Sequence, residues 1–312
     1  AKLVYQHNQV EIKKEVQGTE LDQAKLKTVV TKAISNGDSH ITLKDAYVTP
    51  TVTSTSASLK TAKAKSAKYA TEKATYNING HKFTIPHDLI LSWIKVDKQG
   101  KVSLDQNAVL TYVKQLNDKY HTYHTTRQFK STARGTVSVS GGFYGWTIKT
   151  EAEAKALATE ILKGKDFTRS PITSGSGYNN KGTDIGNTYV EVDKENQHMY
   201  VYVDGKLKVS TDIVTGKPGK HATTTGVWYI WNKEKNATLK GDNDDGSSYS
   251  QPVSYWMPFD DTGEGIHDSS WQTHYGGTWY KKHGSHGCVN TPPSVMKKVF
   301  AAVPVGTPVI VF

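Results

Sequence analysis

The chain has 312 residues, which is enough for about two domains with buried cores. Hydrophobic residues make up 36% of it, and no apolar run approaches the roughly 20 residues of a membrane-spanning helix, so a soluble, polar-surfaced protein is expected. Its single cysteine excludes an internal disulfide.

The net charge of +10 is concentrated in the N-terminal part. Residues 1–187 contain 27 Lys and Arg against 16 Asp and Glu, whereas residues 188–312 contain 12 against 13. No zinc-finger, RNA-binding or helix-turn-helix pattern accompanies the basic residues, so nucleic acid is not the expected partner. An anionic wall polymer or a membrane surface fits this charge better.

The N-terminal part alternates predicted strands and helices, which indicates an α+β domain over residues 1–170. In chain order these are strands at 2–13 turning at 6–9, a helix from Leu21 to Gly37, a strand at 41–48, a hairpin at 76–85 turning at Asn79-Gly80, an apolar segment at 89–96 turning at 98–100, a helix from 103 through 116 and a strand at 137–139.

Residues 51–71 leave two interpretations open, because Ser, Thr, Ala and Lys dominate them. The segment is either a flexible linker or a solvated amphipathic helix. Lysines alternate with alanines at helical spacing, which favours the helix. We expect the lysines of this region to form the densest basic patch of the chain: Lys60, Lys63, Lys65, Lys68 and Lys73.

An internal repeat is indicated at an offset of 127 residues. Each copy is a turn, a helix of about four turns and a glycine stop, with Gly18 and Gly37 corresponding to Gly145 and Gly164. The copies bracket residues 50–140, so one composite unit is expected.

A composition rich in Gly and Ser predicts a linker at 171–187, and a second domain is expected at 188–312. Alternating residues predict strands throughout this domain, with one helix at 293–302, so it is a mainly-β, β-sandwich-like domain. The predicted strands are 189–192, 198–203, 208–214, 226–231 and 309–312.

The only cysteine, Cys288, stands in a stretch that contains every part of an acyl-transfer site. A thiol becomes a strong nucleophile when an imidazole takes its proton, and His267 and His286 precede it. Glycines beside it expose backbone N–H groups to a developing oxyanion. His267 lies 21 residues upstream, so it reaches the thiol only through the fold.

Two other interpretations of the stretch around Cys288 remain open. Cys288 could be a small buried hydrophobe, or it could bind zinc together with His267, His274, His283 or His286. Structural zinc sites usually contain more than one thiolate, which this chain cannot supply. We expect no metal and no cofactor. For the acidic run at 241–246 we rank a solvated loop first, an active-site lid second and a calcium loop third.

Residues 267–290 resemble the signature of the L,D-transpeptidase catalytic domain, also called the YkuD domain. That signature is an upstream His, then Ser/Thr-His-Gly-Cys, a hydrophobic residue and Asn or Arg. The flanking residues 255–259 and 306–309 are similar to the Gram-positive branch, and the resemblance covers residues 188–312. Tyr144-Gly145-Trp146 gives a weaker resemblance to the proposed peptidoglycan-binding domain that precedes it in that branch.

The resemblance implies a role for each site residue. Cys288 is the nucleophile and His267 the base, and Asp268 or a nearby backbone carbonyl orients the imidazole. His286 contacts substrate or assists the oxyanion hole, whose donors are the N–H groups of Gly287 and Cys288. The expected substrate-binding residues are Ser285, Asn290, Tyr255, Trp256 and Met257. Asn290 could equally cap the turn before Pro292.

One departure from the family pattern concerns a loop. Thr224 stands where the family's Thr-Pro-x-Gly turn has proline. A separate expectation concerns the acidic residues before His267, which we expect to attract the cationic amine of an acceptor: Asp242, Asp244, Asp245, Asp260, Asp261 and Glu264.

The implied function is a peptidoglycan L,D-transpeptidase that forms 3→3 cross-links through a thioester on Cys288, with release of D-Ala from a donor tetrapeptide. An L,D-carboxypeptidase and a non-catalytic wall-binding protein are the alternatives. The implied partners are peptidoglycan stem peptides and anionic wall polymers, and the resemblance further implies acylation of Cys288 by carbapenems. We expect an extracellular monomer at the cell wall. Because the chain begins with Ala1 rather than Met, a signal or anchor is expected to precede it.

Overall fold

The computed structural model describes residues 1–70, 72–97 and 101–312, so the turn predicted at 98–100 lies outside the described residues. Contacts divide the chain into two compact units. The first contains residues 1–77, 82–115 and 150–172, and the second contains residues 78–81, 116–149 and 173–312. Within the described residues, no helix combines the length and the hydropathy that crossing a membrane requires.

The secondary structure confirms the expected α+β N-terminal part and mainly-β C-terminal part. The α-helices are α1 (Gln23–Asn36), α2 (Ala57–Ala70), α3 (His87–Trp93), α4 (Gln106–Tyr120), α5 (Thr150–Ile161), α6 (Tyr280–His283) and α7 (Pro293–Ala302). The strands are β1 (Lys2–Gln6), β2 (Gln9–Lys13), β3 (Ala74–Ile78), β4 (His81–Thr84), β5 (Ile94–Val96), β6 (Val102–Leu104), β7 (Arg127–Ser131), β8 (Gly135–Val139), β9 (Trp146–Ile148), β10 (Phe167–Arg169), β11 (Thr173–Gly175), β12 (Tyr189–Asp193), β13 (His198–Val203), β14 (Lys206–Asp212), β15 (Gly226–Tyr229), β16 (Glu234–Asp242), β17 (Ser248–Pro258), β18 (Gly265–Asp268), β19 (Val289–Thr291) and β20 (Pro308–Val311).

In the first unit, the β1–β2 hairpin packs on two helices. Tyr5 lies opposite Val10 in the hairpin, and buried Val10 contacts Ala70 of α2 and Leu91 of α3 in one hydrophobic cluster. This packing explains why residues 57–70 form a helix rather than a linker: Ser66 and Ala70 are buried, while Lys60, Lys65 and Lys68 are exposed.

The helices of the two predicted repeat copies begin at corresponding positions but differ in length and in packing. Helix α1 begins after Asp22, whose carboxylate accepts the N–H groups of Ala24 and Lys25, and it ends at Gly37 with φ of 72°. Helix α5 begins 127 residues after α1, and Gly164 likewise has a positive φ of 62°. However, Ile34 is 74% exposed whereas Ile161 is 2% exposed, and α1 buries only Ala33 while α5 buries five residues, including Leu157 and Ile161.

The strand predicted at 41–48 is wrong. Leu43–Ala46 forms a 3-10 helix, and Tyr47 makes a single bridge to Leu21 instead of a ladder. Ile41 and Val48, which suggested a buried strand face, are 43% and 39% exposed.

In the second unit, two sheets and α7 enclose the main core. The five-stranded sheet has the order β14-β13-β12-β20-β15, and the four-stranded sheet has the order β16-β17-β18-β19. Val192 and Val309 from the first sheet, Met257 and Ile266 from the second and Val299 from α7 all belong to one buried cluster. This arrangement is the expected β-sandwich-like domain, and α7 has the bounds that the sequence predicted.

Residues 116–149 belong to the second unit, although the sequence analysis assigned them to the N-terminal domain. The physical reason is an aromatic cluster in which Phe129 of β7 packs against Tyr189 and Phe312, with ring centroids 5.6 and 6.1 Å away. Glu191 of β12 also accepts hydrogen bonds from the N–H and hydroxyl of Thr132.

Candidate active site

Strands β17, β18 and β19 place three side chains in a row. Trp256 on β17 pairs with His267 on β18, and His267 pairs in turn with Asn290 on β19. Side chains of register partners lie on the same face of a sheet. Cys288 comes immediately before β19, so the sheet brings the thiol to the end of this row.

The His267 imidazole is held in one tautomer. Its Nδ1 donates to the backbone carbonyl oxygen of Asp268 at 2.9 Å, which leaves Nε2 with a free lone pair. The side chain is 2% exposed, and this burial lowers its pKa from the ordinary value of 6.5. A neutral imidazole with an available Nε2 is suited to act as a general base.

The carboxylate of Asp268 has a different task. It accepts the N–H of Ser254 at 3.0 Å and the N–H of Tyr255 at 2.7 Å, which completes the hydrogen bonding of β17 beyond the end of β18. Of the two orienting groups that the sequence left open, the backbone carbonyl therefore contacts the imidazole.

The thiol of Cys288 contacts the segment 263–265. Its Sγ lies 3.8 Å from the carbonyl oxygen of Gly263, and Gly265 donates its backbone N–H to the sulfur. Burial raises the pKa of Cys288 to about 12, the hydrogen bond from Gly265 opposes this effect, and the carboxylates of Glu264 and Asp260 add to it. Burial thus favours the neutral form of both the thiol and the imidazole.

The turn before Cys288 is tightly braced. Ser285 Oγ donates to the Cys288 carbonyl oxygen at 2.5 Å and accepts the Gly287 N–H at 3.1 Å, while Thr223 Oγ1 donates to the Gly287 carbonyl oxygen at 2.6 Å. Gly287 has φ of +126°, and a Cβ there would lie 2.7 Å from Glu264 Oε1, so only glycine fits. Because Ser285 engages the Gly287 N–H, the oxyanion donor expected there is already used.

His286 lies against the β16–β17 hairpin. Its ring stacks on Tyr249 at 5.5 Å and meets His221 edge-on at 4.5 Å. His221 Nε2 lies 3.0 Å from both carboxylate oxygens of Asp244 at the hairpin turn. His286 thus joins the catalytic turn to the hairpin, which is consistent with a contact role rather than that of the base.

A cavity of about 560 Å³ contains both His267 and Cys288. It is lined by Leu239, Asn243, Tyr249, Gln251, His267, Trp271, Gln272, Thr273, Trp279, His283, Gly284, Ser285, His286, Cys288 and Asn290. Asn290 is 1% exposed, and its Oδ1 has no hydrogen-bond partner within the described residues. A buried amide without a partner at a cavity wall is a strong candidate for contact with substrate.

Two predicted substrate-binding residues lie in the core instead. Tyr255 packs on Phe300 with ring centroids 4.9 Å apart, and Met257 is fully buried; neither lines the cavity. Both flank Trp256, and successive side chains of a strand point to opposite faces. Trp256 itself lies 5.8 Å from the His267 ring but does not line the cavity either.

The six acidic residues expected to attract the acceptor differ in exposure: Asp242, Asp244, Asp245 and Asp261 are exposed, whereas the other two are buried. Asp260 is fully buried and Glu264 is 7% exposed, while Asp244 pairs with Lys220 and His221. The acidic run at 241–246 ends β16 and forms the exposed turn of the β16–β17 hairpin, which closes between Asn243 and Ser247. Among the residues that the structure describes, no group of three or more His, Cys, Asp or Glu side chains could hold a metal ion.

Sequence reasoning missed most of the aromatic wall of the cavity. Trp271 lies 5.8 Å from the His267 ring, and Trp279 stacks on His283 at 3.7 Å. Tyr249, which stacks on His286, also lines the cavity. The density of Trp, Tyr and His between 271 and 286 was the signal that could have identified this wall.

Comparison with known proteins assigns both parts of the chain to families. Residues 187–311 match the L,D-transpeptidase catalytic domain (YkuD), and residues 52–169 match the family described as "Putative peptidoglycan binding domain". The chain is 54% identical to the Ldtfm–avibactam carbamoyl enzyme, covering 80% of this chain and 96% of that one, with a TM-score of 0.75.

Two further relatives agree with this assignment. A cysteine-to-serine mutant of the Enterococcus faecium L,D-transpeptidase is 53% identical over 80% of this chain and 98% of that chain, with a TM-score of 0.75. The "Putative L,D-transpeptidase YqjB" of Bacillus subtilis (strain 168) is 28% identical over 132 residues, which are 40% of this chain and 72% of that protein.

Proposed function

Since this chain belongs to the L,D-transpeptidase family, we propose that it cross-links peptidoglycan through a thioester on Cys288. The donor is a stem tetrapeptide, which loses its terminal D-Ala, and the acceptor is an amine on the side chain of residue three of a neighbouring stem. The product is a 3→3 cross-link. The observation that carries this proposal is that His267, with Nδ1 bonded to the Asp268 carbonyl, lines the same cavity as Cys288.

The first acyl transfer begins from the neutral pair. Nε2 of His267 takes the proton from Sγ as the sulfur attacks the carbonyl between residue three and D-Ala. The Cys288 N–H stabilises the oxyanion, because Ser285 occupies the N–H of Gly287. The imidazolium then protonates the departing amine of D-Ala, and the thioester remains on Cys288.

The second transfer reverses these proton movements. The acceptor amine attacks the thioester carbonyl and gives its proton to His267, and the thiol leaves with that proton. The acceptor must attack as a neutral amine. None of the cavity-lining residues is Asp, Glu, Lys or Arg, so the cavity provides no carboxylate that would hold the amine in its charged form.

Asn290 is the proposed substrate anchor. Its side-chain amide lies in the row with His267 and lines the cavity, and no described residue hydrogen-bonds its oxygen. It would hydrogen-bond the backbone of the donor stem and hold the scissile carbonyl near Sγ.

Both matched families concern peptidoglycan, so the substrate and the site of action belong to the cell wall. We further propose that the protein acts outside the cell as a monomer, and that the lysines of α2 hold it to anionic wall polymers.

The products formed from purified disaccharide tetrapeptides test this function. Mass spectrometry should detect dimers linked between the third residues of two stems, together with free D-Ala. Tripeptide monomers alone would indicate an L,D-carboxypeptidase. Unchanged tetrapeptides, with a Cys288→Ala variant as the matched control, would indicate a non-catalytic wall-binding protein.

A further inference from the structure

A buried carboxyl group lies directly beneath the catalytic turn. Glu264 is 7% exposed, and its carboxyl group lies so close to Gly287, the residue before Cys288, that a Cβ on Gly287 would come within 2.7 Å of Oε1. The residues on either side of Glu264 both touch the sulfur: the carbonyl of Gly263 lies 3.8 Å from Sγ, and the N–H of Gly265 donates to it.

The loop at 223–225 ties this carboxyl group to the turn. Thr224 donates both its N–H and its hydroxyl to Glu264 at 2.9 Å, and the neighbouring Thr223 holds the carbonyl of Gly287. A proline at position 224, as in the family's usual turn, has no N–H and no hydroxyl to donate. This chain therefore provides Glu264 with two donors that proline cannot supply.

The charged groups that face Glu264 leave its carboxylate poorly neutralised. Asp260 accepts the Glu264 N–H at 2.6 Å and adds a like charge, and Cys288 becomes negative when it ionises. Lys194 is the cation whose field reaches Glu264, but its ammonium donates to Thr223 O and Thr225 Oγ1 instead. Burial raises the pKa of Glu264 to about 7, despite the hydrogen bonds from Thr224.

We infer that Glu264 is a positioning residue for Cys288. Its carboxyl group holds the segment 263–265 that contacts the sulfur, and the site carries one negative charge, either on this carboxyl group or on the sulfur. When Glu264 is protonated, the thiolate forms without a like charge beneath it. When Glu264 is ionised, the thiolate is disfavoured. The inference rests on the proposed function only in taking Cys288 as the nucleophile.

The test is the rate of alkylation of Cys288 by iodoacetamide from pH 6 to pH 9.5, in the full chain and in a Glu264→Gln variant. At pH 6 the two rates should agree, because the side chain at position 264 is then neutral in both proteins. Above pH 7 the variant should react faster, by about tenfold near pH 9, since removal of one adjacent like charge lowers a thiol pKa by about one unit. A purely structural effect would change the rate by the same factor at every pH.

Two more variants make the test specific. Thr224→Val removes one donor to the carboxylate and keeps the side-chain shape, so its profile should shift in the same direction by a smaller amount. Asp261→Asn removes an exposed charge from the same loop and should leave the profile unchanged.

A ratio of Glu264→Gln to wild type that does not vary with pH would overturn the inference, and so would an equal effect of Asp261→Asn. If Glu264→Gln does not fold, a Thr224→Val profile identical to wild type would overturn it. Alkylation requires only the thiol, so a failure to form cross-links would reject the proposed function without deciding this inference.

Discussion

His267 and Asn290 are register partners on adjacent parallel strands, so the proposed base and the proposed substrate anchor lie side by side on one face of the sheet. The pairing also fixes Cys288, because the thiol precedes Asn290 by only two residues. The spacing of the motif is therefore a consequence of strand register: a shift of one residue between β18 and β19 would turn one of these side chains to the opposite face.

Replacing Asn290 by Ala should slow acylation by the donor about 5-fold to 150-fold, the range for losing a hydrogen bond worth about 1–3 kcal/mol. The measurement is single-turnover acylation followed by mass spectrometry. Thr291→Val is the matched control, because Thr291 Oγ1 is also buried without a partner within the described residues but does not line the cavity. Equal losses in both variants would mean that Asn290 only supports the fold.

Acylation kinetics should distinguish the role of His267 from that of His286. His267→Ala should reduce the acylation rate by about 100-fold or more, the usual contribution of a general base. His286→Ala should cost less, because His286 contacts Tyr249 and His221 at the hairpin. Equal or reversed effects would move the base to His286.

Asp268→Ala should lower the free energy of unfolding by about 1–3 kcal/mol, because the N–H groups of Ser254 and Tyr255 lose their acceptor. The tautomer of His267 should persist, since the backbone carbonyl that holds it remains. Chemical denaturation and acylation kinetics on the same variant check both statements. A large loss of acylation with unchanged stability would show that the carboxylate acts on the imidazole after all.

The stability of the protein should depend on pH through Glu264. Its pKa is about 7 in the folded chain and 4.5 in the unfolded chain, so the folded state binds more protons between these values. Stability from this group is therefore fully present below pH 4.5 and is lost as the pH rises to 7, by at most about 3 kcal/mol. The difference in unfolding free energy between wild type and Glu264→Gln should change by up to this amount between pH 4.5 and pH 7. A difference that stays constant over this range would exclude the contribution of Glu264.

Wall attachment should be electrostatic and should depend on α2. Changing Lys60, Lys65 and Lys68 to Gln should reduce retention on walls that carry teichoic acid, and retention of the unmodified chain should fall steeply with salt, because exposed charges are screened beyond about 8 Å at physiological ionic strength. Changing Lys206, Lys208 and Lys235, which are equally exposed, removes the same charge and should have little effect. Salt-independent retention on walls stripped of anionic polymer would point instead to recognition of the glycan or stem peptide.

Local signals predicted much of the fold correctly. The helix limits at Asp22, Gly37 and 293–302 follow from capping residues and proline, and the strand at 198–203 follows from alternation of buried and half-buried residues. The strand at 189–192 was also predicted, although it is buried on both faces. The candidates for nucleophile and base could also be identified from the sequence, because a lone cysteine preceded by His and Gly indicates acyl-transfer chemistry from residue types alone.

The failures concern features that tertiary contacts decide. The β16–β17 hairpin is exposed over much of its length, so its polar sequence resembles a loop. Tyr255 and Met257 were expected at the site because residues 255–259 resemble the family's Gram-positive branch, but neither lines the cavity, since a strand sends neighbouring side chains to opposite faces. The place of Glu264 beneath Gly287 depends on contacts across 23 residues of sequence, and no local pattern could indicate it.

The central claim is tested most directly by the intact mass of the protein after incubation with a disaccharide tetrapeptide donor in the absence of an acceptor. The account predicts a covalent adduct whose mass is that of the donor minus D-Ala, located on Cys288 by peptide mapping and absent from Cys288→Ala. An unmodified mass together with unreleased D-Ala would contradict it, as would an adduct on any other residue.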